Sequence, residues 1–119
     1  MPNRRRDADG RPLRAAVSRE GETVTVRFGG ELDMAAADAA AAVLREVEQT
    51  APRAIVVDLQ DLTFMDSSGV RLLVQAYGRS EGAGYAFAVR DGSGPARRVL
   101  RLVQLDGVLP MIDSSGDAT

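Results

Sequence analysis

The sequence predicts an α/β domain: a mixed β-sheet with helices packed against it, in the order ββαβαβαβ. Three observations predict it. Two alternating apolar–polar runs flank a turn near the N-terminus, as in a hairpin with one buried face. The continuous run Ala54-Ile55-Val56-Val57-Asp58-Leu59 reads as a parallel interior strand buried on both faces. Alanine-rich or amphipathic stretches separate the later strands, which is how crossover helices read.

Leu13, Ala15 and Val17 form the first alternating run, and Val24, Val26 and Phe28 the second, with the turn Arg19-Glu20-Gly21-Glu22 between them. Gly29-Gly30 is expected to end the second strand. Asp33 is then placed to cap a helix over residues 34–48, whose apolar stripe is Ala36, Ala40, Val43, Leu44 and Val47. Pro52 stops it, and the buried strand over 54–59 follows. A loop carrying Asp61, Phe64 and Met65 leads to a second helix over about 68–80, with Val70, Leu73, Val74 and Tyr77 facing the core. Gly82-Ala83-Gly84 breaks that helix. Residues 85–89 form a further strand, and Asp91-Gly92-Ser93-Gly94 a turn in which Ser93 is a turn or cap residue. Pro95 opens a third helix reaching about Val103, with Val99, Leu102 and Val103 apolar. Residues 108–112 read as an edge strand, because Pro110 does not suit a sheet centre. The 119 residues fit one domain over 13–112, a flexible basic tail over 1–12 and a disordered tail over 113–119.

Absences narrow the function. The chain has no Cys and no His, so it holds no thiolate nucleophile, Ser-His-Asp triad or imidazole metal ligand. All fifteen basic side chains are Arg. Without Lys there is no P-loop, and Asp58 lacks the Lys expected beside a phosphorylated receiver aspartate. A Ser with neither His nor Lys to activate it makes an enzyme unexpected, and no cofactor or metal site is evident. The net charge of −2 argues against binding nucleic acid through phosphate neutralisation. No apolar run approaches the ~18–20 residues that span a membrane, and no signal-peptide core follows Arg4-Arg5-Arg6, so a cytoplasmic location is expected.

The informative segment joins the buried strand to the second helix: Leu62-Thr63-Phe64-Met65-Asp66-Ser67-Ser68-Gly69-Val70. In an open α/β sheet, ligands and chemistry gather at the carboxyl ends of strands. Ser67 is placed as the N-cap, among unpaired N–H groups at the positive end of the helix dipole. A phosphate there finds donors and a favourable field, and the helix keeps its shape while carrying about −2 extra charge. The same string is also what a plain helix cap looks like, so the residues alone leave both readings open.

Gly30-Glu31-Leu32-Asp33, a helix, Ile55-Val56-Val57-Asp58-Leu59 and then Phe64-Met65-Asp66-Ser67-Ser68-Gly69 together resemble a STAS domain of the bacterial anti-sigma factor antagonists (anti-anti-sigma factors). The resemblance spans about residues 13–112. It implies a substrate and binding switch rather than an enzyme. Ser67 is the implied phosphorylation site, with Ser68 the alternative. The implied partners are an anti-sigma factor with serine kinase activity, bound by the unphosphorylated form to release a sigma factor, and a PP2C-type phosphatase that restores that form. Asp33, Asp66, Ser67, Ser68, Gly69, Val70 and Arg71 are the implied partner-binding residues. The rival expectation is a constitutive STAS scaffold, stressosome-like or transporter-associated. A monomer or weak dimer is expected.

Three departures from the family pattern stand out. Val70-Arg71 replaces a common Leu-Gly pair, so Arg71 either meets the phosphate or is solvated helix charge. Gln104 lies where a small residue usually ends the third helix. The sequence stops soon after the last strand, where a C-terminal helix is usual. Met65 and Phe64 are read as core or rim, with Met65 a candidate exposed anchor.

Overall fold

Residues 12–112 are described by the computed structural model. The tails over 1–11 and 113–119 lie outside the described residues. The elements are β1 (Arg14–Glu20), β2 (Thr23–Leu32), α1 (Ala37–Glu48), β3 (Ala54–Met65), α2 (Ser67–Ala83), β4 (Ala86–Arg90), α3 (Pro95–Leu102) and β5 (Met111–Ile112). The expected order holds. The strands lie side by side as β1-β2-β3-β4-β5, with β1 antiparallel to β2 and every other pair parallel. The parallel crossovers all step in one direction, so their right-handedness puts α1, α2 and α3 on one face. Val24, Val26 and Phe28 of β2, Ile55, Val57 and Leu59 of β3, and Phe87 and Val89 of β4 point into the core beneath them. Arg79 of α2 grips Glu48 of α1 with two hydrogen bonds of 2.8 and 2.9 Å, a fork that fixes one helix against the other.

Several expectations are corrected. β1 forms, but all its residues are exposed, so the hairpin buries β2 and not β1. β2 does not end at Gly29-Gly30, and β3 does not end at Leu59. Both continue to Leu32 and Met65, which face each other in register. Irregularities between Arg27 and Gly29 and between Gly30 and Glu31, with Gly30 at φ 86°, let the pairing continue past a break in the alternation. On α2, Gly69, Leu72, Leu73, Ala76 and Ser80 are buried, whereas Val74 is exposed. On α3 the buried residues are Ala96 and Leu100, and Leu102 and Val103 are exposed. Gly94 is its N-cap, and Ser93 is a turn residue, one of its two expected roles. Gln104 adopts the left-handed φ of 62°, which explains the preference for a small residue at that position.

Asp58 sits mid-strand on the face opposite the helices, and its side chain is fully buried. Arg27 donates to it from Nη2 at 3.1 Å and Nε at 3.3 Å, and Arg90 approaches at 3.4 Å. The Gln60 backbone N–H and side-chain amide complete its shell. Burial alone pushes the carboxyl up, but the Gln60 hydrogen bonds and the Arg27 guanidinium outweigh it and hold the group below its ordinary 3.8. The folded carboxylate therefore binds its proton more weakly than the unfolded one. Its stabilisation is complete above about pH 3.8 and is lost as pH falls through the lower folded value. Two outcomes are expected in urea titrations. Asp58→Ala lowers stability by ~3 kcal/mol, because it strips the guanidinium of Arg27 and the amide of Gln60 of their shared acceptor at the centre of the sheet. Asp58→Asn flattens the fall of stability below pH 4 relative to the parent chain.

Candidate functional site

The site is built where β2 and β3 run out together. Leu32 and Met65 are the last paired residues, and the Asp66 backbone N–H donates to the Leu32 carbonyl at 3.4 Å. Asp33 and Asp66 thus follow adjacent parallel strands at their carboxyl ends. The Thr63 hydroxyl donates to the Gly30 carbonyl at 3.2 Å and ties the two strands just before this point.

Asp33 does not cap α1. Its Oδ1 accepts from the Ala36 N–H at 3.0 Å, closing a turn over residues 33–36, and the helix proper begins at Ala37 with Ala36 as an uncapped N-cap. This local bond competes with helix for the same backbone group. The turn leaves Met34 79% exposed beside Asp33.

Ser67 is not the N-cap either. Asp66 holds that position in extended conformation, and its Oδ1 accepts from the Ser68 N–H at 2.8 Å. A carboxylate cap at the positive helix end is favourable in its own right. Ser67 becomes the first helical residue, exposed, with no partner for its hydroxyl among the described residues. Ser68 is half-buried and Arg71 exposed. Arg71 lies four residues after Ser67 and so on the same helix face, one turn on.

Gly69 explains why α2 starts so close to the sheet. A Cβ there would lie 2.6 Å from Met65 Cγ, 2.9 Å from Met65 Sδ and 3.1 Å from Leu32 Cδ2. Only a residue without a side chain lets the first turn rest on the last residues of both strands. Met65 is therefore core, not an exposed anchor, while Phe64 is 44% exposed. Met34 escaped the sequence reading, because an apolar residue at a predicted helix start looks like part of the buried stripe.

A family model described as STAS domain matches residues 14–118. This chain belongs to the STAS domain family of anti-sigma factor antagonists. An anti-sigma F factor antagonist of Paenibacillus polymyxa is 32% identical over 94 residues, covering 78% of this chain and 80% of that protein. An anti-sigma factor antagonist from Mycobacterium paratuberculosis superimposes with a TM-score of 0.78 at 28% identity, covering 83% of this STAS chain and 84% of the other. SpoIIAA of Bacillus, an anti-sigma factor antagonist solved in unphosphorylated and phosphorylated forms, superimposes with TM-scores of 0.72 and 0.67 at 28% identity. Each comparison covers 87% of this chain, and 90% and 93% of SpoIIAA respectively. No helix among the described residues is long and apolar enough to cross a membrane.

Two of the three glycines of α2, Gly69 and Gly78, separate packing from propensity. Gly78 has nothing within 4 Å of an added Cβ. Gly78→Ala should raise stability by ~1 kcal/mol through helix propensity. Gly69→Ala should lower it by about 1 kcal/mol despite the same gain, because the clash with Met65 and Leu32 costs more. Urea unfolding of both variants beside the parent checks the sign of each.

Proposed function

We propose that this chain is a phosphorylation-controlled antagonist. In its unphosphorylated form it binds an anti-sigma factor that is also a serine kinase, and so releases a sigma factor. Phosphorylation of Ser67 switches it off, and a PP2C-type phosphatase resets it. The working unit is residues 13–112, acting in the cytoplasm as a substrate and binding module rather than an enzyme.

The observation that carries this reading is the setting of Ser67: exposed, first in α2, unpartnered, and flanked by Asp66 on the neighbouring strand end to Asp33. An exposed hydroxyl on a rigid helix start suits presentation to a kinase. The helix need not unwind to carry the phosphate, because its N-terminal N–H groups and dipole favour negative charge. Arg71, one turn on, offers that charge a cation. The change falls on the surface instead. About two negative charges join those of Asp33 and Asp66 at the ends of β2 and β3, near in the chain to the exposed apolar Met34 and Phe64. Repulsion and desolvation worth ~3 kcal/mol change affinity more than a hundredfold, enough for a switch without refolding. The forms in which SpoIIAA has been solved support phosphorylation as the variable.

Titration calorimetry with the purified anti-sigma partner tests the switch. Ser67→Ala is expected to bind like the parent, and Ser67→Asp about a hundredfold more weakly. Equal affinity of the two variants overturns the reading. Intact-mass measurement after incubation with the kinase and ATP locates the site. One phosphate on the parent and none on Ser67→Ala is expected, whereas a phosphate that survives in the variant moves the site to Ser68.

A further inference from the structure

β1 is an edge strand whose seven residues are all exposed, and its pairing with β2 runs without a bulge. Proteins commonly guard such an edge with lysine, proline, a bulge or a very short strand. β1 has none of these; of its three charged residues, Arg19 is tied to Thr50 by a 2.8 Å hydrogen bond, and the other two are disposed symmetrically. With Val17 as centre, Arg14 stands three positions before it and Glu20 three after. If two β1 strands pair antiparallel with Val17 opposite Val17, Arg14 of each copy falls opposite Glu20 of the other, on one face of the sheet. Neither Arg14 nor Glu20 has an ion-pair partner among the described residues. On the other face Val17 is 52% exposed and borders an open groove of about 260 Å³, lined also by Val24, Val43 and Val47.

We propose that β1 is a self-association edge. Two copies of this chain pair through antiparallel β1 strands about a two-fold axis at Val17, joining their five-stranded sheets into one continuous sheet. A two-fold interface must be complementary to itself, and the Arg14–Glu20 spacing meets that demand at both ends of the strand. An unrelated partner would require no such symmetry. The two Val17 side chains close the seam beside α1, where each groove is open. The contact is one strand wide, which makes it a weak, concentration-dependent dimer. Ser67 follows β3, two strands in from the edge, so both copies keep it exposed.

Sedimentation equilibrium of the full 119-residue chain over a wide concentration range tests this. The parent should pass from monomer to dimer as concentration rises. R14E alone and E20R alone each oppose like charges at both ends of the seam and should weaken the dimer about tenfold or more. The double variant R14E/E20R restores opposite charges and should restore the dimer. Thermal melts of all four chains by circular dichroism should coincide, which separates lost association from lost folding. A monomer at every concentration up to about 1 mM leaves this edge to some other protein and overturns the proposal. So does a dimer indifferent to the single swaps, or a double variant that stays monomeric.

Discussion

The contact of Gly69 with Met65 and Leu32 governs where everything else at the site can be. It seats the first turn of α2 on the last residues of two adjacent strands. Once that turn is seated, the Asp66 carboxylate reaches the Ser68 N–H, the Asp66 N–H reaches the Leu32 carbonyl, and Ser67 is left facing outward. A side chain at residue 69 would collide with Met65 and Leu32, so the helix start or those core side chains would have to shift. The position of Ser67 is thus fixed by backbone and core packing rather than by contacts of its own hydroxyl, which leaves that hydroxyl free for chemistry.

The opposite face of the sheet is organised differently. There a single carboxylate, Asp58, gathers Arg27, Arg90 and Gln60 from three neighbouring backbone stretches. It serves the alignment of β2, β3 and β4, whose register sets Arg27, Asp58 and Arg90 side by side, with Gln60 two residues further along β3. Burying a charge is costly unless it is fully paired, and this one is. The arrangement also shows why Asp58 is unsuited to receive a phosphate: it faces away from the helix layer, is closed to solvent and is engaged by donors on both oxygens.

Much of the architecture was legible because alternation and alanine content report local structure directly. The hairpin, the central strand and the helix order all read correctly from the chain. The misreadings share physical causes. Past Leu59 the buried residues of β3 are Leu62 and Met65, spaced by three, because irregular pairing interrupts the two-residue period that marks a strand. On α2 Leu73 is buried and Val70 and Tyr77 pack against the core as expected, whereas Val74 is exposed and Gly69, Leu72 and Ala76 complete the buried face. The position closest to the sheet is a glycine, which hydrophobicity cannot flag. Asp33 and Ser67 were each assigned a cap. Asp33 instead spends its side chain on a turn, and Asp66 is the better acceptor one step earlier. β1 was expected to bury a face because alternation signals a strand, yet it does not say whether anything covers that strand.

One property of β3 reaches further. Its pairing with β4 stops at Asp58 opposite Arg90, so the strand continues toward Met65 with β2 as its only strand neighbour among the described residues. The edge that β4 vacates is followed by the start of α3, where a side chain at Gly94 would come within 3.9 Å of the Leu62 carbonyl. Ser67 therefore stands at the tip of a two-stranded cantilever braced by a helix that comes much later in the chain. Sequence drift in α3, remote in the chain from Ser67, can re-aim that tip by small amounts. Related regulators encoded in one genome would then have a means of diverging in partner choice while their Asp-Ser-Ser-Gly strings stay the same.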